Sequence, residues 1–434
     1  MKIAVIGTGY VGLPTGVGFA ELGHDVVCID KVSTKIDDLN QGKITLYEPD
    51  LEELFIKNRA LERLQFTTSM AEGIQGANII IIAVGTPTNP ETKEADMRYI
   101  YAVAKELSAL ITGYTVIAIK STVPIGTGAE VYSMIAQGAP NIEFDVVSLP
   151  EFLREGLAVE DFFHPDRIVI GVDNERAKSI LLKLYADFEG KTEFLFVSRK
   201  SSELIKYAAN SFLAIKVHYI NEMADLCEKS GADIEEVAKG MGLDTRIGPK
   251  FLQPGPGYGG SCFPKDTVAL ASIGRKYGVQ MHLVETAIAQ NELRKKTMAQ
   301  KILKALNNRE QAIAILGLTF KAGTDDVRES PSVEICEELI KSSVSLRVYD
   351  PKGMGNAKEC LGDKVYYGGN IYDACAGAAL CVILTEWPEF KTIDWVHLKT
   401  VMCSHRILDL RNLLDKEQVE AVGFEYKRLG GIEC

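Results

Sequence analysis

The hydrophobic pattern of the first 30 residues predicts a strand, a helix and a second strand. Lys2 to Ile6 and Asp25 to Ile29 are short apolar runs, and Val11 to Leu22 carries apolar positions at helical spacing. Gly23 ends the predicted helix. These elements predict a βαβ unit, with Asp30 at the carboxyl end of its second strand.

Apolar runs alternate with helical patterns through the amino-terminal part of the chain and again from Gln311 onwards, which predicts parallel sheets. The second series repeats the order of strand, glycine, helix (Pro331 to Ser342) and strand. Its segment after Gly317 lacks the compact glycine spacing of the first, so we expect it to bind something other than a dinucleotide. The further predicted strands are Ile79–Val84, Val116–Lys120, Asp145–Leu149, Arg167–Val172, Ala312–Leu316, Leu346–Tyr349, Ala378–Leu384 and His405–Leu408.

A helical region separates the two series. Ser201 to Ser230 has helical spacing without proline or glycine and predicts one long helix, and helical patterns continue to about Leu306 around a loop from Gly240 to Lys265. The predicted fold class is α/β: two Rossmann-like domains with parallel sheets, joined by a long central helix and a helical dimerisation region. The predicted domains are residues 1–198, residues 199–308, which contain the dimerisation region and the cysteine loop, and residues 309–434.

Composition excludes several classes of protein. A length of 434 residues indicates two or three domains, and 46% hydrophobic with 25% charged residues is typical of a folded enzyme. A net charge of -11 argues against a nucleic-acid partner. Nine scattered cysteines and six unclustered histidines predict neither a disulfide framework nor a metal site. Without a signal or membrane-spanning pattern, we expect a cytoplasmic protein with no membrane partner.

The glycine segment G-T-G-Y-V-G points to a dinucleotide. Gly7, Gly9 and Gly12 stand between a predicted strand and helix, where they would permit a tight turn, close pyrophosphate approach and close helix packing. Asp30, 18 residues beyond Gly12, would bind the ribose hydroxyl groups and favour NAD over NADP. The alternative is a structural glycine-rich turn.

The segment Pro254 to Asp266 contains a candidate nucleophile. Prolines and glycines before Cys262 predict an irregular loop, and Pro264 suits the first turn of a helix. The positive end of the helix dipole and Lys265 would lower the pKa of the Cys262 thiol. The alternative is a buried, inert cysteine, with Asp266 an ordinary acidic residue of the first turn.

Further polar residues lie at positions where either a site or ordinary structure is possible. Lys206 and Asn210 share one helix face, although a snorkelling lysine and an exposed amide are the default explanation. Glu151 follows a predicted strand and is either a site residue or a helix-start acid. The loops Gly85–Pro87 and Ser121–Gly126 also follow strands, where ligands bind in α/β sheets, but isolated turns there prove nothing.

Together these motifs resemble the nucleotide-sugar dehydrogenase family over nearly the whole chain. The resemblance rests on G-T-G-Y-V-G at 7–12, Y-E-P at 47–49, G-T-P-T at 85–88, S-T-V-P-I-G at 121–126, P-E-F-L-R-E-G at 150–156, K-Y-A-A-N at 206–210, G-G-S-C-F-P-K-D at 259–266 and F-K-A-G-T-D-D-V-R-E-S at 320–330. One departure is Asp50, where glycine is usual in the family, in a loop outside the expected chemistry.

The resemblance implies that residues 1–198 bind NAD and that residues 309–434 bind the UDP-sugar, and it implies roles for individual residues. It implies that Cys262 is a covalent nucleophile, that Lys206, Asn210 and Asp266 surround the reacting sugar oxygen, and that Thr122 and Glu151 position or activate water. The residues expected at the sugar nucleotide are Glu151, Phe152, Leu153, Glu155, Lys206, Asn210, Phe251, Gly259, Lys321 and Arg411, with Arg246 entering the neighbouring subunit's site. Those expected at NAD are Gly7, Gly9, Tyr10, Val11, Gly12, Asp30, Lys35, Thr86, Thr122, Glu155, Lys265 and Arg328.

The implied reaction is the NAD-dependent, four-electron oxidation of UDP-glucose to UDP-glucuronate through a thiohemiacetal and a thioester on Cys262, with release of two NADH. GDP-mannose or a UDP-N-acetylhexosamine is an alternative substrate, because the catalytic motifs do not read the base or the sugar's C2 substituent. A non-catalytic nucleotide-sensing protein and a thiol-redox protein are alternatives of other classes. The complete set of candidate catalytic residues argues against the first, and the lack of a second cysteine near Cys262 argues against the other.

Overall fold

The computed structural model describes residues 1–306 and 308–431 and divides the chain into two compact units. The first unit comprises Met1–Ala209 and Val268–Val279. The second comprises Asn210–Thr267 and the described chain from Gln280 onwards. The division into domains at residues 198 and 308 stays a prediction.

The first unit is built on an eight-stranded sheet. Its strands are β1 (Lys2–Ile6), β2 (Asp25–Ile29), β3 (Leu64–Thr67), β4 (Ile79–Ile82), β5 (Thr115–Ile119), β6 (Phe144–Ser148), β7 (Arg167–Gly171) and β8 (Glu193–Val197), in the spatial order β3-β2-β1-β4-β5-β6-β7-β8. The first six strands in this spatial order, which are β3, β2, β1, β4, β5 and β6, pair in parallel, as predicted. Every predicted strand of this unit is present within about two residues of its expected bounds, and β3 and β8 are additional.

The predicted parallel sheet contains one antiparallel pair of strands, which the sequence did not indicate. β6 and β7 are antiparallel, meeting at Ser148 and Gly171, and β8 runs parallel to β7. A parallel connection needs a crossover, usually a full helix. The segment between β6 and β7 contains only the six-residue helix Ala158–Phe163, and the chain turns back instead of crossing over.

The core of the first unit follows from its buried strands. All four residues of Ile79–Ile82 are buried, as expected for a central parallel strand covered on both faces. Alternate residues of β1 belong to different apolar clusters, with Ile3 and Val5 in one and Ala4 and Ile6 in the other. This double-sided burial fixes the carboxyl ends of the strands, where the candidate site residues lie.

The second unit contains a six-stranded parallel sheet. Its strands are β9 (Ile313–Leu316), β10 (Leu346–Tyr349), β11 (Tyr366–Tyr367), β12 (Leu380–Ile383), β13 (Arg406–Asp409) and β14 (Glu425–Arg428), in the order β11-β10-β9-β12-β13-β14. All of these pairs are parallel, as predicted. The edge strands β11 and β14 were not predicted.

The helices include the long central one. Arg199–Ser230 is continuous over 32 residues and ends at Gly231, whose φ of 78° lies in the left-handed region. The helices are α1 (Gly12–Glu21), α2 (Ser33–Asn40), α3 (Leu51–Ala60), α4 (Met70–Ile74), α5 (Arg98–Leu110), α6 (Thr127–Gly138), α7 (Ala158–Phe163), α8 (Glu175–Leu184), α9 (Arg199–Ser230), α10 (Ile234–Gly242), α11 (Phe263–Lys276), α12 (His282–Leu306), α13 (Pro331–Lys341), α14 (Met354–Leu361), α15 (Ile371–Cys375), α16 (Trp395–Val401) and α17 (Lys416–Ala421). Short 3-10 helices span Ala186–Phe188, Gly362–Lys364 and Pro388–Thr392. No helix in the described part of the chain has the length and apolar character needed to cross a membrane.

Candidate active site

The glycine loop between β1 and α1 has one glycine that the chain itself does not require. A Cβ on Gly7 would lie 2.5 Å from the Ala83 carbonyl oxygen, and one on Gly12 would lie 2.0 Å from the Gly7 carbonyl oxygen. A Cβ on Gly9 would meet nothing within 4 Å. Gly7 and Gly12 are therefore needed for internal packing, whereas Gly9 leaves open space of the kind that a pyrophosphate needs for close approach.

Asp30 is held at the carboxyl end of β2 by the same loop. Its Oδ2 accepts hydrogen bonds from the Thr8 amide at 3.1 Å and the Thr8 hydroxyl at 2.8 Å, and its Oδ1 accepts one from the Val32 amide at 3.1 Å. Burial opposes ionisation, but these bonds and the charge of Lys35, 3.9 Å away, lower the pKa of Asp30 below its usual value. The carboxylate is thus fixed and charged, as a ribose acceptor must be.

The other predicted cofactor residues of the first unit lie at loop positions. Tyr10 and Val11 are half-buried in the turn before α1, and the Val11 carbonyl accepts a hydrogen bond from Thr15 at 3.1 Å. The Thr86 hydroxyl donates to the Thr122 carbonyl at 2.8 Å. This bond joins the loops that follow β4 and β5, two neighbouring strands.

The loop after β6 carries a buried ion pair. Glu151 Oε1 lies 3.0 Å from Lys206 Nζ, which extends from α9, and Glu151 Oε2 accepts a 2.5 Å hydrogen bond from the Leu153 amide. Lys206 Nζ also lies 5.3 Å from the centroid of the Phe152 ring. Both members of the pair are buried, so Lys206 is no snorkelling surface lysine and Glu151 no ordinary helix-start acid. Glu155 is half-buried in the same loop.

Three further buried residues of the first unit were not singled out from the sequence. Glu48 of the Y-E-P segment accepts hydrogen bonds from the Gly156 and Ala158 amides, both at 2.7 Å, and so holds the loop that carries Glu151. Glu203 on α9 accepts from the Gly126 and Gly128 amides at 2.6 and 2.7 Å and so holds the loop that carries Thr122. Their partners are 75 to 110 residues away along the chain, so no local pattern indicates them.

Lys120 is the third of these residues. It follows β5 directly and is buried. The pKa of Lys120 is lowered to about 8, mainly by burial and also by the charge of Lys206, while the charge of Glu151 opposes this lowering. The one sequence signal was its place at the end of the predicted strand Val116–Lys120.

In the second unit, Cys262 begins the helix that carries the candidate acid. The Cys262 carbonyl accepts a 2.8 Å hydrogen bond from the Asp266 amide, so Cys262 directly precedes the first turn of α11, as predicted. Its Sγ lies 3.5 Å from the Ser261 hydroxyl oxygen. The half-buried position of Cys262 contrasts with the fully buried Cys336 and Cys375 of the same unit.

Asp266 is fully buried and held by two side chains. Its Oδ2 accepts a 2.6 Å hydrogen bond from Asn210 Nδ2, and its Oδ1 contacts the Lys265 ammonium. Asn210 is buried as well, which excludes the exposed amide considered from the sequence. The second unit thus brings together Asn210, Asp266 and Lys265 around the start of α11.

Two of the residues expected at the sugar nucleotide, Lys321 and Arg411, follow the carboxyl ends of β9 and β13. The Arg411 guanidinium donates to the carbonyls of Leu384 at 2.8 Å and Phe320 at 3.0 Å, and pairs with Glu386 at 3.1 Å. Lys321 Nζ lies 5.6 Å from the Phe320 ring centroid. This is the strand edge at which parallel sheets bind ligands.

The cysteine loop packs against the same edge. A Cβ on Gly255 would lie 3.0 Å from Arg411 Nη1, and one on Gly259 would lie 2.1 Å from the Glu329 carbonyl oxygen. Gly259 is therefore required by the close approach of two backbone segments. Phe251 has a φ of 65° and lies 6.0 Å from the Phe263 ring, measured between centroids.

Two predicted arginines have partners on their own segments. The Arg328 guanidinium is bidentate on Asp326, and its carbonyl accepts a 3.1 Å hydrogen bond from the Gly260 amide. The Arg246 guanidinium is bidentate on Asp244, with its side chain 87% exposed. Roles at NAD and at a neighbouring subunit stay predictions for Arg328 and Arg246.

Asp350 explains why the second unit cannot repeat the dinucleotide site of the first. Like Asp30, it follows the second strand of a βαβ unit, but its Oδ2 accepts bonds from the Leu318 amide at 2.7 Å, the Thr319 amide at 3.1 Å and the Trp387 indole at 3.1 Å. Its Oδ1 accepts from the Lys352 and Gly353 amides. The carboxylate is buried beneath Trp387 and has no face left for a ribose.

The parallel sheet and the glycine loop of the first unit are those of a dinucleotide-dependent dehydrogenase. Family models match the chain in three parts: the NAD binding domain of the UDP-glucose/GDP-mannose dehydrogenase family over residues 1–189, its central domain over 200–293 and its UDP binding domain over 314–416. The chain belongs to the UDP-glucose/GDP-mannose dehydrogenase family.

Similar proteins agree with this assignment. A Rhizobium meliloti protein named UDP-glucose 6-dehydrogenase is 47% identical over 435 residues, covering 99% of each chain. The structure of a UDP-glucose dehydrogenase from Pyrobaculum islandicum has a TM-score of 0.91 and 37% identity, covering 98% of this chain and 96% of that one. A UDP-D-ManNAc dehydrogenase structure from Pyrococcus horikoshii has a TM-score of 0.86 and 29% identity, covering 99% of both. The expectations of a dehydrogenase fold, of an NAD-dependent enzyme and of a UDP-binding second domain are confirmed.

Proposed function

We propose that the protein oxidises the 6-hydroxymethyl group of UDP-glucose to a carboxylate, reducing two NAD per turnover. The observation that carries this proposal is the start of α11, where Cys262 directly precedes a turn containing the fully buried Asp266 held by Asn210. A cysteine at a helix amino terminus is favoured as a thiolate, the form that attacks a carbonyl. The names of the relatives above supply the choice of UDP-glucose.

The reaction divides into three chemical steps. First, the C6 alcohol loses a proton to a base and a hydride, giving an aldehyde. The Cys262 thiolate then adds to the aldehyde carbon, and loss of a second hydride converts the thiohemiacetal to a thioester. Water attacks the thioester, the carbon–sulfur bond breaks, and the carboxylate leaves while the thiolate is restored. A covalent intermediate explains why no free aldehyde would be released.

The chain's own residues supply the polar groups that these steps need. Lys206 and Asn210 would donate to the oxygen on C6, which gains negative charge whenever the carbon becomes tetrahedral. Asp266 would orient the Asn210 amide near that oxygen. Glu151 would accept a proton from the attacking water, with the Thr122 loop orienting it. Glu151 suits this role because it is buried and held in place by Lys206 and by the Leu153 amide.

NAD fits the residues of the first unit. Gly9 offers the open approach, Asp30 offers a charged acceptor for the ribose hydroxyl groups, and the dipole of α1 offers its positive end to a pyrophosphate. When bound, NAD accepts the hydride in each of the two oxidations. Tyr10, Val11, Lys35, Thr86, Glu155, Lys265 and Arg328 are proposed to complete the cofactor contacts.

The test is the stoichiometry of the purified protein. We expect two NADH for each UDP-glucuronate and no aldehyde trapped by a carbonyl reagent. The Cys262→Ser variant should lose turnover by several orders of magnitude yet still bind NAD and UDP-glucose, because serine keeps the shape but is a far weaker nucleophile. Cys360→Ser is the matched control, since Cys360 is exposed and outside the site, and it should be fully active. One NADH per product with accumulated aldehyde, or near-normal turnover by Cys262→Ser, would refute the covalent route.

Substrate panels separate the alternatives. The likeness to the Pyrococcus horikoshii UDP-D-ManNAc dehydrogenase favours a UDP-N-acetylhexosamine as the competing substrate. Comparing kcat/KM for UDP-glucose, that sugar nucleotide and GDP-mannose decides among them. Binding of all three without NADH formation would indicate a nucleotide-sensing protein instead.

We also propose a homodimer formed through α9. Phe212, Tyr219 and Leu226 recur every seven residues and are 62%, 45% and 58% exposed, so they form an apolar stripe along the described helix. The exposed Arg246 would then reach the neighbouring subunit's site. We further propose that the protein is located in the cytoplasm. Light scattering of the full-length protein measures the oligomeric state, and a monomer at micromolar concentration would contradict the dimer.

A further inference from the structure

Three buried charged side chains form a cluster in the first unit. Lys120, Glu151 and Lys206 are 6%, 5% and 4% exposed. Lys120 and Glu151 follow the neighbouring strands β5 and β6, which are joined at their ends by the 2.8 Å bond from the Leu149 amide to the Ile119 carbonyl. Two ammonium groups therefore accompany one carboxylate. We call these three residues the buried charge cluster.

Helix α9 fixes the third member of this cluster. The Ser202 hydroxyl lies 2.9 Å from the Ser148 hydroxyl at the end of β6, which anchors the helix one turn before Lys206. From that turn Lys206 reaches Glu151 at 3.0 Å. The positions of all three charges are thus set by strands and a helix, with little freedom to relax.

Lys120 differs from Lys206 in its partner. Within the described residues, no carboxylate lies within the 4.0 Å ion-pairing distance of the Lys120 ammonium, whereas Lys206 pairs directly with Glu151. Lys120 is nevertheless within electrostatic reach of both, since the charge of Glu151 raises its pKa and the charge of Lys206 lowers it. Burial is the largest cause, and the pKa of Lys120 is lowered to about 8. A buried cation without a direct partner is unfavourable by itself, so its presence requires an explanation.

The proposed reaction supplies one. When Lys206 turns to the substrate oxygen, Glu151 loses its direct cation while remaining buried, and an unpaired buried carboxylate is strongly destabilised or takes up a proton. A protonated Glu151 could not act as the base. A second ammonium in the same cluster opposes that protonation.

We propose that Lys120 is a positioning residue that keeps Glu151 ionised and in place while Lys206 engages the substrate. This inference rests on the proposed function for the role of Glu151, but the coupling of Lys120 to Glu151 exists with or without turnover. It assigns a part in thioester hydrolysis to a residue that never touches the reacting carbon.

The kinetic test uses Lys120→Met and Lys120→Arg in the full-length protein, each alone and combined with Glu151→Gln. Lys120→Met should lower kcat about tenfold or more with the KM for UDP-glucose changed by less than about threefold. A covalent sugar adduct on Cys262 should accumulate in its steady state, detected by intact mass. Lys120→Arg keeps the charge and should restore most of kcat. Lys301→Met is the matched control, since Lys301 pairs with Glu228 outside the site, and it should form no adduct.

The Glu151→Gln background separates positioning from a general structural role. If Lys120 acts through Glu151, adding Lys120→Met to Glu151→Gln should cause no further loss of kcat. An equal loss of kcat in both backgrounds, or a failure of arginine to rescue, would overturn the inference.

A second measurement does not depend on activity. In urea titrations of the wild-type background, Lys120→Met removes both a buried charge and the attraction of that charge to Glu151. In the Glu151→Gln background it removes only the buried charge. The unfolding midpoint of the Lys120→Met variant should therefore be more favourable, relative to its own parent, in the Glu151→Gln background. Identical shifts in both backgrounds would refute the coupling. If the wild type proves unable to oxidise UDP-glucose, the proposed function fails while this comparison still decides whether Lys120 supports Glu151.

Discussion

Asn210 donates a 2.6 Å hydrogen bond from its side-chain amide to Oδ2 of Asp266, whose side chain is fully buried. The bond ties the central helix α9 to the first turn of α11, four residues after Cys262. It leaves Oδ1 of Asp266 for the Lys265 ammonium. The carboxylate is therefore aimed by an amide and charge-compensated by a lysine, which is the kind of support that a catalytic acid or electrostatic group needs.

Asp266→Asn should distinguish the contribution of the side chain's charge to kcat from the contribution of its shape. The new amide oxygen can still accept from Asn210, but the negative charge opposite Lys265 is lost. We expect kcat to fall by about 100-fold or more with the fold retained, because preorganised charge contributes most to such reactions. Steady-state NADH formation and circular dichroism measure the two effects.

Asp233→Asn provides the control for that variant. Asp233 pairs with Arg428 at 2.5 Å and caps α10 in the same unit. It should lower stability slightly and leave kcat unchanged. A similar loss of kcat in both variants would show that the effect at Asp266 is merely structural.

The sequence predicts most strands of both sheets because a short run of apolar residues is enough to indicate a buried strand. Ile79–Ile82 is an unbroken apolar run, and burial on both faces is what such a run requires. The reversed direction of β7 could not be predicted, since the pairing of Ser148 with Gly171 depends on the path of the chain between them and not on the strands themselves. The short, half-exposed edge strand β11 gave too little pattern to detect.

The candidate site shows the same division between local and distant information. Cys262 and Gly9 stand in motifs whose spacing reveals them, whereas Glu48 and Glu203 act on amides far along the chain. Asp50, the departure from the glycine usual at its position, has a φ of 62°. The left-handed conformation explains the glycine preference, because only a residue without a Cβ adopts it freely, and aspartate tolerates it better than most.

Asp30→Ser should weaken NAD binding and narrow the discrimination against NADP. The substitution removes both the charged acceptor for the ribose and the charge that repels a 2'-phosphate. We expect the Kd for NAD to rise about tenfold or more, as loss of a hydrogen bond to a charged group predicts. Titration calorimetry with both dinucleotides checks this. Asp25→Ser, an exposed residue at the start of the same strand, is the control, and a wild type that prefers NADP would contradict the assignment.

Because Lys120 is buried, the free energy of unfolding should increase as the pH rises from about 8 to about 10.5. Its pKa is about 8 in the folded chain, against an ordinary value near 10.5, so between these pH values the unfolded state binds more protons. Folding then carries a penalty that is fully present below pH 8 and disappears as the pH rises to about 10.5, amounting to about 3 kcal/mol.

Urea unfolding from pH 7 to 10.5 tests this by comparing the wild type with Lys120→Met, since other titrations cancel in the difference. The wild type should gain stability relative to the variant as the pH rises. Lys200→Met, at an exposed lysine, should show no such trend. A pH-independent difference for Lys120→Met would mean that Lys120 titrates normally.

The proposed role of Arg246 predicts complementation between two inactive chains. A heterodimer of an Arg246→Ala chain with a Cys262→Ala chain would combine Cys262 of the first with Arg246 of the second in one intact site. An equimolar mixture after subunit exchange should recover about a quarter of wild-type activity, since half of the dimers are mixed and each has one working site. Heterodimers shown by mass spectrometry to form without regaining activity would exclude a shared site.

Gly9→Ala and Gly12→Ala should differ in their effect on stability, although these glycines lie three residues apart in one motif. A methyl group on Gly12 would lie 2.0 Å from the Gly7 carbonyl oxygen, a backbone atom that cannot turn aside. Gly12→Ala should therefore lower the free energy of unfolding by about 3 kcal/mol, with the loss of NAD binding following from the distorted loop. A methyl group on Gly9 would meet nothing within 4 Å, so Gly9→Ala should change stability by less than about 0.5 kcal/mol. It should nevertheless weaken NAD about tenfold or more, because the methyl would occupy the space that the pyrophosphate approaches. Urea unfolding without cofactor and NAD titration of both variants make the comparison, and normal NAD affinity in a stable Gly9→Ala protein would show that the cofactor does not approach this loop.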